Sequence, residues 1–157
     1  MENKVDHPGV YIPPPLIYVL TFLAALYAQK IYRIDDSMFH KQPVKIAGII
    51  LLLIALFFLV RSLRQFLKSK NTLVTIKPST SLESSGIYNI TRNPMYVGLA
   101  IVYLGITCLI GNWWNIILFP LLLLVVQEYI IRSEEKYLER RYGQVYLDYK
   151  LRVRRWL

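Results

Sequence analysis

The sequence is poor in cysteine and in acidic residues. Its 157 residues include one cysteine, Cys108, and 10 Asp+Glu against 19 Lys+Arg, which gives a formal net charge of +9. A single cysteine excludes a disulfide framework within the chain and a metal site built from paired cysteines. The positive charge does not indicate a nucleic-acid-binding protein, because 55% of the residues are hydrophobic, more than such a protein needs. We therefore expect no nucleic-acid partner.

Charged residues are also absent from long stretches of the chain. Residues 93–127 form an uncharged run of 35 positions, whereas one helix crosses the hydrocarbon core of a bilayer with about 20. Gly111 and Asn112 provide a turn signal near the middle of this run, so it is predicted to form two spans. With two apolar runs upstream, the sequence predicts four transmembrane helices, at about residues 10–28, 46–60, 95–110 and 113–127. We therefore expect an all-α fold, an integral membrane helical bundle that forms a single domain over residues 1–157.

The basic residues predict the orientation of these spans. With both termini on the inner side of the membrane, that side carries 15 of the 19 Lys and Arg residues and the outer side carries four. An excess of Lys and Arg marks the cytoplasmic loops of membrane proteins. Both termini are therefore predicted to be cytoplasmic, together with the polar segments that precede the third span and follow the fourth.

The first informative polar segment lies where the third span begins. Asn93 precedes a proline and is therefore disfavoured from a helix, whereas Pro94 suits the first turn of one. Tyr88, Arg92 and Tyr96 would then crowd at a helix start. The free N–H groups of a helix start favour anionic groups, so this segment is a candidate anion-binding site.

The second polar segment continues the fourth helix out of the membrane. Glu128, Glu135 and Tyr142 recur every seven residues, which predicts that they share one face of this helix. Gly143 is expected to end the helix. The aromatic residues that follow predict an amphipathic tail at the membrane interface.

Each of these features also has a simpler interpretation. Tyrosine and tryptophan at a membrane interface usually act as anchors, and Arg92 could be another anchor. Glu134, Glu135 and Glu139 stand among basic residues and could form solvent-exposed ion pairs along the helix. Composition and spacing alone thus predict a four-span membrane protein with a polar cytoplasmic site.

Both polar segments carry a recognisable pattern. The first is Gly86-x-Tyr88-x-x-x-Arg92-Asn93-Pro94-x-Tyr96-x-Gly98, and the second is Glu134-Glu135-x-x-Leu138-x-x-x-Tyr142-Gly143-x-x-Tyr146-x-x-Tyr149. Together they resemble the motifs of the isoprenylcysteine carboxyl methyltransferase and phospholipid methyltransferase superfamily, over roughly residues 70–157. The ending Val153-Arg154-Arg155-Trp156 is similar to that of the small bacterial members. Two positions depart from the pattern, because Asn93 stands where eukaryotic members have His and Tyr142 replaces the usual Phe.

The resemblance implies an integral-membrane enzyme, in a bacterial inner membrane, that binds S-adenosylmethionine at its cytoplasmic face. It assigns cofactor binding to Tyr88, Arg92, Asn93, Pro94, Tyr96, Gly98, Glu134 and Glu135. It assigns substrate binding, or a place in a C-terminal helical lid over the cofactor, to Tyr142, Tyr146, Tyr149 and Arg154. Arg92 and Glu135 are the predicted catalytic residues, and no metal is expected.

The chemistry of S-adenosylmethionine agrees with these implied roles. Glu134 or Glu135 would pair with its amine, Arg92 or the helix start would bind its carboxylate, and tyrosine rings would face its sulfonium or adenine. A carboxylate acceptor is ionised at pH 7 and needs no general base, which favours O-methylation of a lipid-like or prenylated small molecule. An amine acceptor must lose a proton, and Glu135 is the candidate base for that N-methylation.

Two other functions are consistent with the sequence. Sterol reductases, which use NADPH, resemble the same superfamily in their C-terminal halves, although they are normally longer and have more spans. The other alternative is a membrane scaffold that keeps the fold without its chemistry. The expected partners are membrane lipids and a lipophilic small-molecule substrate, and the sequence leaves the oligomeric state open.

Overall fold

The computed structural model describes residues 9–68 and 82–157, which form helices and turns with no strand among them. The helices are α1 (Pro14–Ile31), α2 (Gln42–Lys68), α3 (Pro94–Ile110), α4 (Trp113–Val125), α5 (Arg132–Tyr142) and α6 (Gln144–Arg152). A π-helical turn, Val126–Ile131, joins α4 to α5 without a break, and 3-10 turns occupy Ser37–His40 and Gly86–Asn89. The predicted all-α fold is therefore confirmed.

Three helices are long and apolar enough to cross a membrane, namely α1, α2 and the continuous helix Trp113–Tyr142. α3 is also apolar, but with 17 residues it is shorter. The outward faces of α1 and α2 expose leucine, isoleucine and phenylalanine side chains, as helices in contact with lipid do. The chain is thus a helical membrane protein, and a fourth span through α3 stays a prediction. Three basic residues used to predict the orientation, Lys4, Lys70 and Lys77, lie outside the described residues.

Proline and glycine set helix ends where the sequence predicts them. Pro94 is the first residue of α3. Gly111 ends α3 at a φ of +78°, and the Asn112 side chain caps α4 by accepting a hydrogen bond from the Trp114 backbone at 2.8 Å. Gly143, at a φ of +53°, separates α5 from α6. The predicted turn between the third and fourth helices and the predicted helix end are both confirmed.

The π-helical turn changes which side chains of the last long helix face the protein. Glu128 is 43% exposed and pairs with Arg132, whereas the Glu135 side chain is 7% exposed. A π-helical turn holds an additional residue, so the seven-residue spacing does not keep one face across it. The predicted common face of Glu128 and Glu135 is therefore wrong.

α2 and α3 pack closely because small residues line their contact. Gly48, Ala55 and Ser62 are buried on α2 and lie seven residues apart. On α3, a Cβ atom added to Gly105 would stand 3.1 Å from the Gly48 carbonyl oxygen and 2.9 Å from the Leu52 side chain. Membrane helices commonly use small residues in this way to bring their backbones together.

Aromatic contacts hold α1 against α3 and α4. The Tyr18 hydroxyl donates a hydrogen bond to the Tyr96 carbonyl at 3.3 Å. The ring of Tyr103 packs against Tyr18, Phe22 and Phe119, at centroid distances of 6.5, 5.5 and 5.7 Å. The same buried cluster includes residues of the π-helical turn. It therefore fixes the start of α3 beside that turn, where the predicted site residues lie.

Candidate active site

Three parts of the chain meet at the start of α3: the segment before α3, the helix α5, and the last residues of the chain. The Arg92 backbone N–H donates a hydrogen bond to the Arg154 carbonyl at 2.9 Å. The Thr91 hydroxyl and the Asn93 side-chain amide donate to the Arg155 carbonyl at 3.0 and 2.9 Å. The end of the chain is thus attached to the helix start, and we call this meeting point the junction.

Glu135 of α5 lies buried in the junction between two arginines. The Nη2 atom of Arg92 lies 3.1 Å from its Oε1 atom. Arg155 donates from Nε to Oε1 at 3.0 Å and from Nη2 to Oε2 at 2.6 Å. This hydrogen bonding to the Glu135 carboxylate raises the pKa of Arg155 above its ordinary value. Both oxygens of Glu135 are therefore engaged by the protein itself.

Arg92 has hydrogen-bond donors without a partner in the described part of the chain. Its side chain is 8% exposed, and its buried Nε and Nη1 atoms have no hydrogen-bond partner within residues 9–68 and 82–157. A buried donor without a partner costs about 1–3 kcal/mol, and more when it is charged. A guanidinium with two such donors is suited to bind an oxygen anion, such as a carboxylate.

Glu134, next to Glu135, has a different environment. The Tyr96 hydroxyl donates to its Oε1 atom at 2.6 Å. In the described part of the chain, Glu134 forms no ion pair with a basic side chain, in contrast to Glu135. One carboxylate of the acidic pair is thus neutralised by arginines, and the other has a tyrosine partner but no basic partner among the described residues.

Tyrosines attach α6 to the segment before α3. The Tyr149 hydroxyl donates to the Tyr88 carbonyl at 2.6 Å, and the hydroxyls of Tyr88 and Ser62 share a hydrogen bond at 3.2 Å. The rings of Tyr146 and Tyr149 lie 6.1 Å apart. Burial raises the pKa of Tyr88 to about 12 and also raises the pKa of Tyr149. Both phenols therefore stay protonated at neutral pH.

The other residues assigned by the resemblance lie around the junction. Pro94 is buried in the first turn of α3, and one turn later Gly98 lies against the Leu59 side chain of α2. Tyr142 packs against the buried cluster that contains Tyr88, Tyr146 and Tyr149. The Arg154 side chain is exposed. Gly98 thus allows two helices to approach, and Arg154 gives the junction a backbone oxygen. Their roles in binding a cofactor or substrate stay predictions.

The sequence did not identify Thr91 and Arg155 as site residues. Adjacent arginines follow α6, and nothing in their spacing indicates that Arg155, and not Arg154, turns towards Glu135. Thr91 did have a signal, because a threonine hydroxyl can hydrogen-bond to the backbone N–H two residues further along the chain. Its hydroxyl does accept a hydrogen bond from the Asn93 backbone N–H, at 3.2 Å.

Comparison with known proteins links this chain to methyltransferases. The phospholipid methyltransferase family matches over residues 44–145. An uncharacterized protein of Haemophilus influenzae is 41% identical over 66 residues, which are 40% of this chain and 100% of that protein. The protein-S-isoprenylcysteine O-methyltransferase of Schizosaccharomyces pombe is 39% identical over 72 residues, 46% of this chain. The match spans 30% of that yeast enzyme. No solved structure matches the chain.

Proposed function

The chain belongs to the phospholipid methyltransferase family, and we propose that it is a membrane enzyme that uses S-adenosylmethionine to methylate a lipid-like acceptor. The observation that carries this proposal is the buried Arg92 guanidinium, whose Nε and Nη1 atoms have no partner in the described part of the chain. A guanidinium that pairs with Glu135 through Nη2 and has two further donor atoms beside a helix start favours a bound carboxylate. S-adenosylmethionine carries a carboxylate, which makes Arg92 the residue that selects it.

The residues of the junction fit the polar groups of this cofactor. Arg92 would hold the carboxylate, and Glu134, which has no basic partner among the described residues, would hold the amine. The rings of Tyr88 and Tyr96 would face the sulfonium or the adenine. Glu135 is assigned a positioning role, because both of its oxygens already accept hydrogen bonds or ion pairs from arginines.

The protein would contribute mainly position and exclusion of water. The cofactor supplies a methyl group on a cationic sulfonium, which needs no activation by a side chain. The segment before α3, α5 and α6 would orient the cofactor and cover it, so that an acceptor from the bilayer approaches along one direction. α6 and the chain end would thus act as the predicted lid.

We propose a carboxylate as the favoured acceptor group. A carboxylate is ionised at pH 7 and needs no base, whereas an amine must first lose a proton. Neither oxygen of Glu135 is available to accept a proton from an amine acceptor, because arginines engage both oxygens. The yeast relative is named as an O-methyltransferase, which supports the same choice. The alternative is an amine acceptor on a phospholipid, which the family's description as phospholipid methyltransferase suggests.

The proposal includes a setting in the membrane. The protein would cross a bacterial inner membrane four times, with α3 as the short span, and would keep both termini in the cytoplasm. Membrane lipids would surround the apolar faces of α1 and α2. The junction would then lie at the cytoplasmic surface, where a soluble cofactor and a lipophilic acceptor can meet.

Titration calorimetry with S-adenosylhomocysteine on the detergent-purified protein tests the cofactor assignment. We expect saturable binding by the wild type and loss of binding by Arg92→Ala. Arg132→Ala is the matched control, because Arg132 is exposed and pairs with Glu128 away from the junction. No binding by the wild type at millimolar ligand, or equal binding by both variants, would contradict the proposal.

Transfer of a labelled methyl group tests the acceptor. The purified protein is incubated with methyl-labelled S-adenosylmethionine and either a prenylated carboxylic acid or phosphatidylethanolamine. We expect label in the carboxylic acid, as a methyl ester that alkali releases. Label only in phosphatidylethanolamine would establish the amine alternative, and label in neither acceptor would count against both.

A further inference from the structure

A second site lies at the C-terminal end of α2, outside the junction. It is a pocket of about 540 Å³ that we call the basic pocket, and its lining residues are Arg61, Arg64, Gln65, Lys68, Glu83 and Ser85. None of these residues belongs to the set that the resemblance assigns to the cofactor or substrate. The basic pocket therefore needs its own explanation.

One wall of the basic pocket is a basic face of α2. Arg61, Arg64 and Lys68 are spaced three and four residues apart, which places them on one side of the helix. In the described part of the chain, none of the three forms a salt bridge with a carboxylate. Three positive charges thus line one wall of the pocket without an ion pair among the described residues.

The opposite wall is held in place by Gln65. Its Nε2 atom donates to the Ser85 carbonyl at 2.6 Å, to the Ser85 hydroxyl at 3.0 Å and to the Glu83 carboxylate at 3.2 Å. Gly86 permits this contact because it has no Cβ atom, which would stand 2.4 Å from the Gln65 side chain. Its φ of +58° also favours glycine. With Glu83 included, the lining residues of the pocket carry a net formal charge of +2.

The position of the basic pocket along α2 indicates its depth. Arg61 is the first charged residue after the apolar run 46–60, which is predicted to cross the hydrocarbon core. Basic residues at that point lie at the level of the phosphate groups of a bilayer. Ser62, the neighbour of Arg61, bonds to Tyr88, so the pocket is attached to the junction through one turn of α2.

We propose that the basic pocket binds a phosphate group, carried by an anionic phospholipid or by a soluble phosphate compound. Two guanidinium groups and an ammonium group provide the donors that phosphate oxygens accept. A volume of 540 Å³ holds a headgroup or a small phosphate compound. The proposal uses none of the residues assigned to S-adenosylmethionine, so it stands or falls independently of the methyltransferase proposal.

Native mass spectrometry of the full chain in neutral detergent tests the proposal. Dioctanoyl phosphatidylglycerol and dioctanoyl phosphatidylcholine are added in turn, and the bound lipid is counted. We expect one phosphatidylglycerol per chain, bound in clear preference to phosphatidylcholine. The double variant Arg64→Gln, Lys68→Gln should weaken this binding about 25-fold, because each Lys or Arg near anionic lipid is worth about a fivefold factor.

The matched control is the double variant Lys136→Gln, Arg152→Gln, which removes one Lys and one Arg from exposed positions on α5 and α6. It should bind phosphatidylglycerol like the wild type. Helical circular dichroism and gel filtration verify that both variants are folded. Absence of a preference in the wild type, no loss in the pocket variant, or equal losses in both variants would overturn the proposal.

Added inorganic phosphate distinguishes the two sources of the phosphate group. If millimolar phosphate displaces phosphatidylglycerol, the basic pocket recognises the phosphate alone and accepts it from soluble compounds. If phosphate does not compete while the pocket variant loses the lipid, the ligand is the lipid headgroup. Both results support a phosphate site and differ only in its occupant.

Discussion

Arg155 reaches back twenty residues along the chain to donate two hydrogen bonds to Glu135, at 3.0 and 2.6 Å. Arg92 contacts the same carboxylate at 3.1 Å. The two arginines nevertheless differ, because Arg92 alone has buried donors without a partner among the described residues. Arg155 therefore acts as a positioning residue that helps hold Glu135, and through it Arg92, in place.

Arg155→Lys is expected to weaken the binding of S-adenosylhomocysteine about tenfold. Lysine keeps the positive charge but cannot form the two parallel hydrogen bonds of a guanidinium, so Glu135 and Arg92 lose their fixed geometry. Calorimetry measures the change in Kd. Arg152→Lys is the control, because Arg152 is exposed and lies three positions away. Equal affinities of Arg155→Lys and the wild type would refute the positioning role.

Glu135→Gln is expected to lower the free energy of unfolding by about 3 kcal/mol, because it leaves two arginines in the junction without their counter-charge. Glu139→Gln is the matched variant. Glu139 pairs with Lys150, but both side chains are about one-third exposed, and such pairs contribute about 0–1 kcal/mol. Chemical unfolding in detergent, followed by tryptophan fluorescence, compares the two. The prediction fails if the two variants lose the same stability.

The pKa of Tyr88 predicts a loss of stability at alkaline pH. Burial raises this pKa to about 12, whereas a tyrosine in an unfolded chain ionises near 10. The unfolded state therefore loses its proton first, so the contribution of Tyr88 is complete below pH 10 and disappears as the pH rises to 12. Tyr88→Phe should reduce the loss of stability between these values by about 2 kcal/mol.

Unfolding measurements at pH 9, 10, 11 and 12 verify this slope. Tyr27→Phe is the control, since Tyr27 is 66% exposed on α1. Its pH profile should match that of the wild type. A Tyr88→Phe profile as steep as the wild-type profile would show that the Tyr88 phenol is not the group that titrates.

The fold was largely predictable because its boundaries depend on local chemistry. Pro94 lacks a backbone N–H and therefore begins a helix, and Gly111 and Gly143 adopt a positive φ and therefore end one. Uncharged runs mark helices that lie in lipid, since a charge there is costly. These signals act within a few residues, so a single sequence is enough to read them.

The candidate site was less predictable because it depends on contacts between distant segments. The partners Arg155 and Glu135 are twenty residues apart. The spacing in the sequence does not distinguish Arg155 from the exposed Arg154 as the partner of Glu135. The π-helical turn, which no residue pattern announced, separates the environments of Glu128 and Glu135. The motif residues therefore indicated where the site lies, and only the structure showed which of them neutralise one another.

Thr91→Val tests whether the Thr91 hydroxyl helps to hold the chain end at the start of α3. Thr91 is fully buried, donates to the Arg155 carbonyl and accepts from the Asn93 backbone. Valine has a similar shape but removes both hydrogen bonds. The Arg155 carbonyl keeps its bond from the Asn93 side-chain amide, whereas the Asn93 backbone N–H loses its partner, at a cost of about 1–3 kcal/mol. Amide hydrogen exchange should accelerate at Arg92, whose N–H bonds to the Arg154 carbonyl, and in the last five residues.

Thr21→Val is the control for Thr91→Val, because among the described residues the Thr21 hydroxyl bonds only to the Ile17 carbonyl of its own helix, at 2.9 Å. It should leave exchange at the chain end unchanged. If exchange at Arg92 accelerates while binding of S-adenosylhomocysteine also weakens, the attached chain end contributes to cofactor binding. Accelerated exchange with unchanged binding would confine its role to stability. Unchanged exchange would contradict a role of Thr91 in the attachment, which the Arg92 N–H and the Asn93 side-chain amide would then hold without it.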